Sequence, residues 1–253
     1  MEEISILEYS ACGNKQSAQK LKFKGNQDLR IIYSLKKMLE KKSWDLISVR
    51  DITYHSLKHL EPELMAMGYR MIIDPTWKTV KEKEKWRYTC LSVLFVKNTI
   101  KCSQIVERYS FETVLRYVCI SFEYNGHNIY FRTSHIPCVD ATRFRLSKQV
   151  ERKEKMLRAD IDFQNKHKHD CALCSGDYNG AVDEEDCYCR ELYDEFIFDD
   201  LISEGTYEGH KLDHCYVSES FKEKGIAVDA EILDDYYMQF TDHKMLSITL
   251  KAI

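Results

Sequence analysis

A short apolar run followed by small and polar residues places candidate catalytic groups past the middle of the chain. The run from Cys171 to Ser175 predicts a buried strand, and the Gly-Asp-Tyr-Asn-Gly sequence after it predicts the strand's end. Asp177 and Asn179 are two residues apart, so on an extended chain their side chains point to one side. Together they could orient a ligand. The same sequence also suits a turn closed by Asx hydrogen bonds, so both interpretations stay open.

Polar side chains that suit phosphate or metal chemistry recur near the ends of other predicted strands. They are Ser10, Asp51, His135, Asp213, Asp242 and His243. A hard divalent cation needs carboxylate oxygens, and a phosphate needs cations and hydrogen-bond donors around it. Each residue alone also fits a capped turn or a satisfied buried polar group. Their shared position at strand ends favours a common site.

The elements that must position these residues alternate between strands and helices. Strands are predicted over about 3–9, 45–50, 69–73, 90–96, 211–218 and 245–250, and helices over about 28–39, 55–67, 142–165 and 184–203. Asn125-Gly126, between the runs 117–124 and 128–135, predicts a hairpin with a type I′ turn. Strands interleaved with helices, together with a hairpin, predict an α/β sandwich with mixed sheets, in a single domain over residues 1–253.

Composition places the chain among globular proteins. Of its 253 residues, 44% are hydrophobic and 12% are aromatic, with only three prolines. No run of about 18 apolar residues could span a membrane. The opening sequence Met-Glu-Glu-Ile-Ser lacks the basic and apolar regions of a signal peptide. We therefore expect a cytoplasmic protein without a transmembrane segment.

The net charge of −4 hides a segregation of charge along the chain. Lys15–Lys42 has nine bases and two acids, and Arg143–His169 has nine bases and four acids. Asp183–Asp235 has eighteen acids and four bases. Solvated helix faces explain any single run, but segregation on this scale favours a basic face for an anionic ligand. The basic loop Lys15–Lys24 is expected to border that ligand's cleft.

The ten cysteines leave a choice between a metal site and core packing. The spacings within Cys171–Cys174 and Cys187–Cys189, with His167 and His169 nearby, are a partial zinc-binding pattern. On a strand, however, positions i and i+3 face opposite sides. Most of the cysteines lie in apolar runs, where a free thiol packs as a small hydrophobe. We expect buried reduced thiols and no structural zinc.

Taken together and in order, the motifs resemble the endonuclease/exonuclease/phosphatase superfamily, which has the deoxyribonuclease I-like fold. That family runs from an early strand ending in Trp-Asn, through Gln-Glu, Asn-x-His-Leu, Gly-Asp-Phe-Asn and an Asp-Tyr pair, to Ser-Asp-His. Thr133-Ser-His135-Ile matches in part, and three segments match well: Gly176-Asp-Tyr-Asn179, Lys211-Leu-Asp213-His and Thr241-Asp-His243. The likeness covers residues 4–250 and implies a four-layer α/β/β/α sandwich of two mixed sheets.

Three positions depart from the family pattern. Ser10 stands where the early Asn is expected, and it keeps a hydroxyl but loses the amide. Asp51 stands where the metal-binding Glu is expected, with a reach one methylene shorter. Arg50 replaces a Gln and adds a positive charge that competes with a cation. A catalytically weakened homologue that binds nucleic acid or a protein is therefore one alternative function.

The resemblance implies in-line attack of water on a phosphorus centre. Asp177 would orient or deprotonate the water, and Asn179 would hold the geometry of the site. Asp213 would fix and polarise His243. His243 and His135 would bind phosphate oxygens, with His135 a candidate acid for the leaving group.

The resemblance also implies a divalent cation, Mg²⁺ or Mn²⁺. Asp51, Asp242 and Ser10 would hold it, and its charge would offset the charge that develops in the transition state. The leading hypothesis is a metal-dependent phosphodiesterase, a nuclease that hydrolyses DNA or RNA. A phosphoesterase for inositol or lipid phosphates is the second alternative. Abasic-site repair is disfavoured because no Gly-Phe-Thr segment follows Asn179.

Overall fold

The computed structural model of the chain describes residues 3–11, 27–75, 90–106, 115–139, 146–180, 188–207, 209–233, 241 and 243–253. The strands in these ranges are β1 (Glu3–Ser10), β2 (Leu46–Thr53), β3 (Tyr69–Ile72), β4 (Cys90–Lys97), β5 (Cys102–Ile105), β6 (Tyr117–Tyr124), β7 (His127–His135), β8 (Cys171–Asp177), β9 (Asp199–Asp200), β10 (Asp213–Val217), β11 (Ile226–Leu233) and β12 (Met245–Ala252). The helices are α1 (Gln27–Lys41), α2 (Tyr54–Ala66), α3 (Leu146–Lys166), α4 (Arg190–Tyr193) and α5 (Ser220–Glu223).

The strands form two sheets of six strands each. Sheet A has the order β11-β12-β1-β2-β4-β3, and sheet B has the order β5-β6-β7-β8-β10-β9. In sheet A, β1 and β2 are parallel; in sheet B, β7 and β8 are parallel. The other strand pairs are antiparallel. Both sheets are therefore mixed, which confirms the predicted α/β sandwich.

Three apolar clusters show how the layers stack. Successive strand residues point to opposite faces of a sheet, so Ile6 packs between the two sheets while Leu7 packs against α1 and α2. In sheet B, Leu173 likewise faces the other sheet, and Ala172 packs against α3. The order is thus helix, sheet, sheet, helix, as the family resemblance implied.

The turn between β6 and β7 has the geometry that its sequence predicts. Asn125 and Gly126 have positive φ angles of 51° and 74°, as both central residues of a type I′ turn require. The resulting hairpin pairs Tyr117 with Ser134 and carries His135 to the end of β7. The predicted hairpin is confirmed.

The long acidic helix predicted over 184–203 is wrong within the described residues 188–207. Helix α4 is only four residues long, and β9 follows it and pairs with β10. Tertiary contacts override the local pattern here, because the amides of Ile197 and Phe198 donate to Oε1 of Gln164 on α3. Strands β5 and β11, which lie at the edges of the two sheets, were also missed. No described helix is both long and apolar enough to cross a membrane.

The two cysteines of β8 lie in the core. Cys171 and Cys174 are buried free thiols, and Sγ of Cys174 accepts a hydrogen bond from Nε2 of Gln164 at 3.4 Å. Burial raises the pKa of Cys174, so its thiol stays protonated. Cys187, the third residue of the partial zinc pattern, lies outside the described residues. These two thiols therefore act as packing groups.

Candidate active site

Three predicted site residues form one row across sheet B. His135 at the end of β7 is the register partner of Asp177 at the end of β8, and Asp177 is the register partner of Asp213 at the start of β10. Side chains directly opposite one another on neighbouring strands lie on the same face. The parallel β7–β8 pair and the antiparallel β8–β10 pair thus bring together residues distant in sequence.

A bulge in β2 brings Arg50 and Asp51 toward the same region. The pairing of β2 with β4 shifts register between Val49 and Ile52, and Asp51 has a positive φ of 51°. In a regular strand, neighbouring side chains would face opposite ways, whereas a bulge changes the direction of one of them. Here Nη1 of Arg50 donates to Oδ1 of Asp213 at 2.8 Å, and Oδ1 of Asp51 lies 3.8 Å from Nδ1 of His135.

The segment after β8 is held in a tight Asx turn. The amide of Asn179 donates to Oδ1 of Asp177 at 2.9 Å, and the Asn179 side-chain amide donates to the carbonyl of Ile136 at 2.9 Å. A Cβ at Gly176 would clash with the carbonyl oxygen of Ser134. The turn uses Oδ1 of Asp177, so the turn and active-site interpretations are compatible: Oδ2 of the same carboxylate faces the histidines.

His243 lies just before β12 of sheet A and is fixed by a carboxylate at the start of β10 in sheet B. Its Nδ1 lies 2.8 Å from Oδ2 of Asp213, and Asp213 is fully buried. Burial alone would raise the pKa of Asp213, but the charges of His243 and Arg50 hold it below its usual value. Asp213 is therefore an ionised acceptor, and His243 donates from Nδ1.

His135 is a neutral imidazole that carries its hydrogen on Nε2. Burial lowers its pKa well below 6.5, and the nearby charges of Arg116 and Arg50 lower it further. Nη1 of Arg116 lies 3.3 Å from Nδ1 of His135. Arginine can only donate, so Nδ1 accepts and the neutral ring carries its hydrogen on Nε2.

Both histidines present Nε2 to Asp177. Oδ2 of Asp177 lies 3.7 Å from Nε2 of His135 and 3.8 Å from Nε2 of His243. These separations are too long for hydrogen bonds, so the three groups surround a space instead of closing on one another. Burial raises the pKa of Asp177 to about 6, against the opposing charges of His243 and Arg50.

Carboxylate oxygens suited to a hard cation are present beside this space. One ligand atom each from Asp177, Asp213 and His243 lies within 4.8 Å of the others. Asp213, however, already uses Oδ1 for Arg50 and Oδ2 for His243. Asp177 has one oxygen in the Asx turn and the other facing the two histidines. The carboxylate better suited to a cation is therefore Asp51, whose side chain is 15% exposed and whose oxygens fit a hard divalent cation.

Of the two remaining metal candidates, Ser10 lies within the described residues and Asp242 does not. Ser10 ends β1 beside Arg50, and its carbonyl accepts a 2.7 Å hydrogen bond from Oγ1 of Thr241, which brings the segment before His243 to this edge. Asp242 lies outside the described residues. So does the basic loop Lys15–Lys24 that was expected to border the cleft.

Three residues of this region were not found from the sequence. Arg116 precedes β6 and reaches His135, and Oγ1 of Thr206 accepts from the amide of Asp213 at 3.0 Å. Glu8 lies fully buried on β1, with Oε2 3.1 Å from Nε of Arg50. A glutamate within an apolar strand pattern was the one available signal, because a buried carboxylate needs a partner.

Comparison with known proteins identifies the fold. No family model matches the sequence, and no curated protein matches it. Solved structures do match over nearly the whole chain. D. rerio TDP2 carrying 14 humanising mutations is 14% identical with a TM-score of 0.67, and each chain covers 99% of the other. D. rerio TDP2 has also been solved with a single-strand DNA product, at 10% identity and a TM-score of 0.66 over 99% of both chains.

Two further solved structures also match over nearly the whole chain. The human Nocturnin catalytic domain with a bound sulfate anion has 14% identity and a TM-score of 0.64, covering 98% of this chain and 94% of its own. An endonuclease/exonuclease/phosphatase family protein from Bacteroides thetaiotaomicron has 14% identity and a TM-score of 0.60, covering 99% and 98%. The chain thus has the deoxyribonuclease I-like fold of the endonuclease/exonuclease/phosphatase superfamily, as its motifs indicated.

Proposed function

We propose that the chain is a divalent-metal-dependent phosphodiesterase that hydrolyses nucleic acid. The observation that carries this proposal is the position of Oδ2 of Asp177, which faces Nε2 of His135 at 3.7 Å and Nε2 of His243 at 3.8 Å. A carboxylate and two imidazoles around one space supply a base for water and two donors for phosphate oxygens. In-line hydrolysis of a phosphate ester requires these groups.

Asp177 is the general base in this proposal. Its pKa of about 6 leaves it ionised at neutral pH yet more basic than an ordinary carboxylate. Its Oδ1 is held by the amide of Asn179, so Oδ2 is the atom that takes the proton from the attacking water. Asn179, tied to the carbonyl of Ile136, positions the base.

The two histidines stabilise the negative charge that develops on the phosphoryl oxygens. His243 is oriented through Nδ1 by the ionised Asp213, so that its Nε2 faces the same space as Oδ2 of Asp177. Neutral His135 donates from Nε2, because Arg116 occupies Nδ1. Donors held in place before the reaction lower its barrier without reorganisation.

The proposal assigns the cation to the Nδ1 side of the His135 ring, opposite the Nε2 that faces Asp177. Oδ1 of Asp51 lies 3.8 Å from Nδ1 of that ring, and Ser10 and Asp242 are further candidate ligands. When bound, Mg²⁺ or Mn²⁺ would neutralise charge on the phosphoryl and leaving oxygens. The proposal also takes residues 1–253 as one domain, because both sheets contribute to the site, and places the protein in the cytoplasm.

A nucleic acid is the proposed substrate for two reasons. D. rerio TDP2, which shares the fold, was solved with a single-strand DNA product. The sequence also has two basic segments. Part of this positive charge is paired within α3, where Lys155 lies 2.6 Å from Glu151 and Arg158 lies 3.1 Å from Glu154. The remaining bases of these segments are candidates for contacts with a phosphate backbone.

Hydrolysis assays test the proposal. The protein is incubated with Mg²⁺ or Mn²⁺ and labelled single- or double-stranded DNA, RNA or phosphoinositides, and with EDTA in parallel. We expect cleavage of a nucleic acid that EDTA abolishes. Asp177→Asn should lower the rate about a hundredfold or more. Asp162→Asn, which changes an exposed carboxylate on α3, is the matched control and should keep the parent rate.

Each other result has a definite meaning. Equal rates for the parent and Asp177→Asn would refute the catalytic assignment. Metal-independent binding of nucleic acid without cleavage would show a binding module, and cleavage of phosphoinositides alone would show the inositol or lipid alternative.

A further inference from the structure

A fully buried arginine joins the two sheets beneath the candidate site. The Arg50 side chain has 0% exposure and lies between two carboxylates that are also fully buried. Nη1 donates to Oδ1 of Asp213 in sheet B at 2.8 Å, and Nε lies 3.1 Å from Oε2 of Glu8 on neighbouring β1. Burial alone would lower the pKa of Arg50, but the charges of Asp213, Glu8 and Asp177 raise it. The guanidinium is therefore a permanent cation.

Arg50 restricts the orientation of Asp213. A carboxylate held by one partner can rotate about its Cβ–Cγ bond, but Asp213 is held at both oxygens, by Arg50 at Oδ1 and by His243 at Oδ2. Fixing Oδ1 aims Oδ2 at Nδ1 of His243. This sets the direction of the ring whose Nε2 faces Asp177. Supporting contacts of this kind determine how closely a site keeps its geometry.

Glu8 forms an ion pair with Nε of the guanidinium. It also accepts hydrogen bonds from the hydroxyls of Ser175 and, at 3.3 Å, Thr133, both in sheet B. Glu8 is thus tied to the sheet that carries Asp213, although it belongs to β1. Without Arg50, two buried carboxylates would lack their shared cation; without Glu8, Arg50 would lose one of its two anchors.

We propose that Glu8 and Arg50 act as a positioning pair that holds Asp213 and thereby sets the orientation of His243. The part this pair plays in hydrolysis rests on the proposed function, whereas its effect on the His243 ring rests on the geometry alone. Arg50 has no exposed surface, so it acts through Asp213 and does not touch the substrate.

The fold offers a matched control. Arg132 is also fully buried, and its Nε donates to Oδ1 of fully buried Asp160 at 2.6 Å. That ion pair lies outside the candidate site. Each substitution removes a buried cation: Arg50→Gln leaves two buried carboxylates without it, and Arg132→Gln leaves one. Both should therefore destabilise the protein. Only Arg50→Gln should change His243.

The direct measurement is the NMR signal of the Nδ1 proton of His243 in protein with ¹⁵N-labelled histidine, assigned with His243→Gln. We expect this signal to shift or broaden in Arg50→Gln and Glu8→Gln and to stay in place in Arg132→Gln. In hydrolysis assays, Arg50→Gln should lower kcat by about tenfold to a hundredfold with a smaller change in KM. The Glu8→Gln/Arg50→Gln double variant should lose less than the product of the two single losses, because the pair is coupled.

An unchanged His243 signal in folded Arg50→Gln would overturn the inference, whatever its activity. If Arg50→Gln does not fold, Arg50→Lys takes its place, because a lysine keeps the charge but cannot hold both carboxylates with a rigid fork. A parent-like signal and kcat in Arg50→Lys would equally overturn it. A shifted signal in a protein whose parent hydrolyses no nucleic acid would retain the positioning pair and reject the proposed function.

Discussion

His135 and Asp177 are register partners at the ends of two parallel strands, and Nε2 of His135 lies 3.7 Å from Oδ2 of Asp177. Both groups are buried, and burial favours the neutral form of each: it lowers the pKa of His135 and raises that of Asp177. The imidazole therefore stays neutral across the pH range in which Asp177 ionises. Over that range, the carboxylate alone controls the charge of this pair.

The pH dependence of hydrolysis should report the ionisation of Asp177. The proposed base works only when deprotonated, and its pKa is raised to about 6. We therefore expect kcat/KM to be low at acid pH, to rise through about pH 6 and to level off above it. A pH series of initial rates at saturating metal checks this. A midpoint near the ordinary carboxyl value, about 4, would contradict it.

Asp177→Asn should be more stable than the parent at neutral pH while losing activity. The folded-state pKa of Asp177 lies above its unfolded value, so the folded protein loses stability as pH rises through about 6. Asparagine does not ionise, and its Oδ1 can still accept from the amide of Asn179. Thermal melts at pH 5 and pH 8 should show a gain in Tm over the parent that is larger at pH 8. An equal or lower Tm at pH 8 would contradict the assigned shift.

The sequence predicted the strand-end positions of the candidate residues better than the contacts that support them. Asp177, Asn179 and His135 follow apolar runs with clear turn chemistry, so local pattern alone placed them at strand ends. Their meeting depends on the strand order of sheet B, which the sequence did not predict. Glu8 and Ser175 are hydrogen-bonded although 167 residues apart, and no local pattern predicts such a contact.

The prediction of a helix over 184–203 is wrong in its described part for a similar reason. Its residues have helical composition, but Gln164 of α3 binds the amides of Ile197 and Phe198, and β10 offers a strand edge to β9. These contacts come from parts of the chain far away in sequence. The bulge at Asp51 was equally hidden, because it depends on how β2 pairs with β4.

Gly176→Ala should destabilise the fold by about 1–3 kcal/mol, because the new methyl group would overpack against the carbonyl of Ser134. Its φ of +147° adds backbone strain for a residue with a side chain. Urea unfolding measures the loss. Gly225→Ala is the control, since it also has a positive φ but meets no atom within 4 Å. Equal losses for the two variants would mean that strain alone, and not the close approach of β7 and β8, requires glycine at this position.

Asp200→Asn should lower stability at neutral pH, and the loss should shrink in acid. Oδ2 of Asp200 lies 2.6 Å from Nδ1 of His214 and 2.7 Å from Nζ of Lys211. Burial alone would raise the pKa of Asp200, but these two partners lower it. A lowered carboxyl pKa stabilises the fold above the unfolded-state value, and that stability disappears as pH falls through the folded-state value. Urea unfolding at pH 7 and pH 3 measures the loss, roughly 1–3 kcal/mol at pH 7. Exposed Asp199→Asn should change little at either pH, and a pH-independent loss in Asp200→Asn would show that packing, not charge, holds β9 to β10.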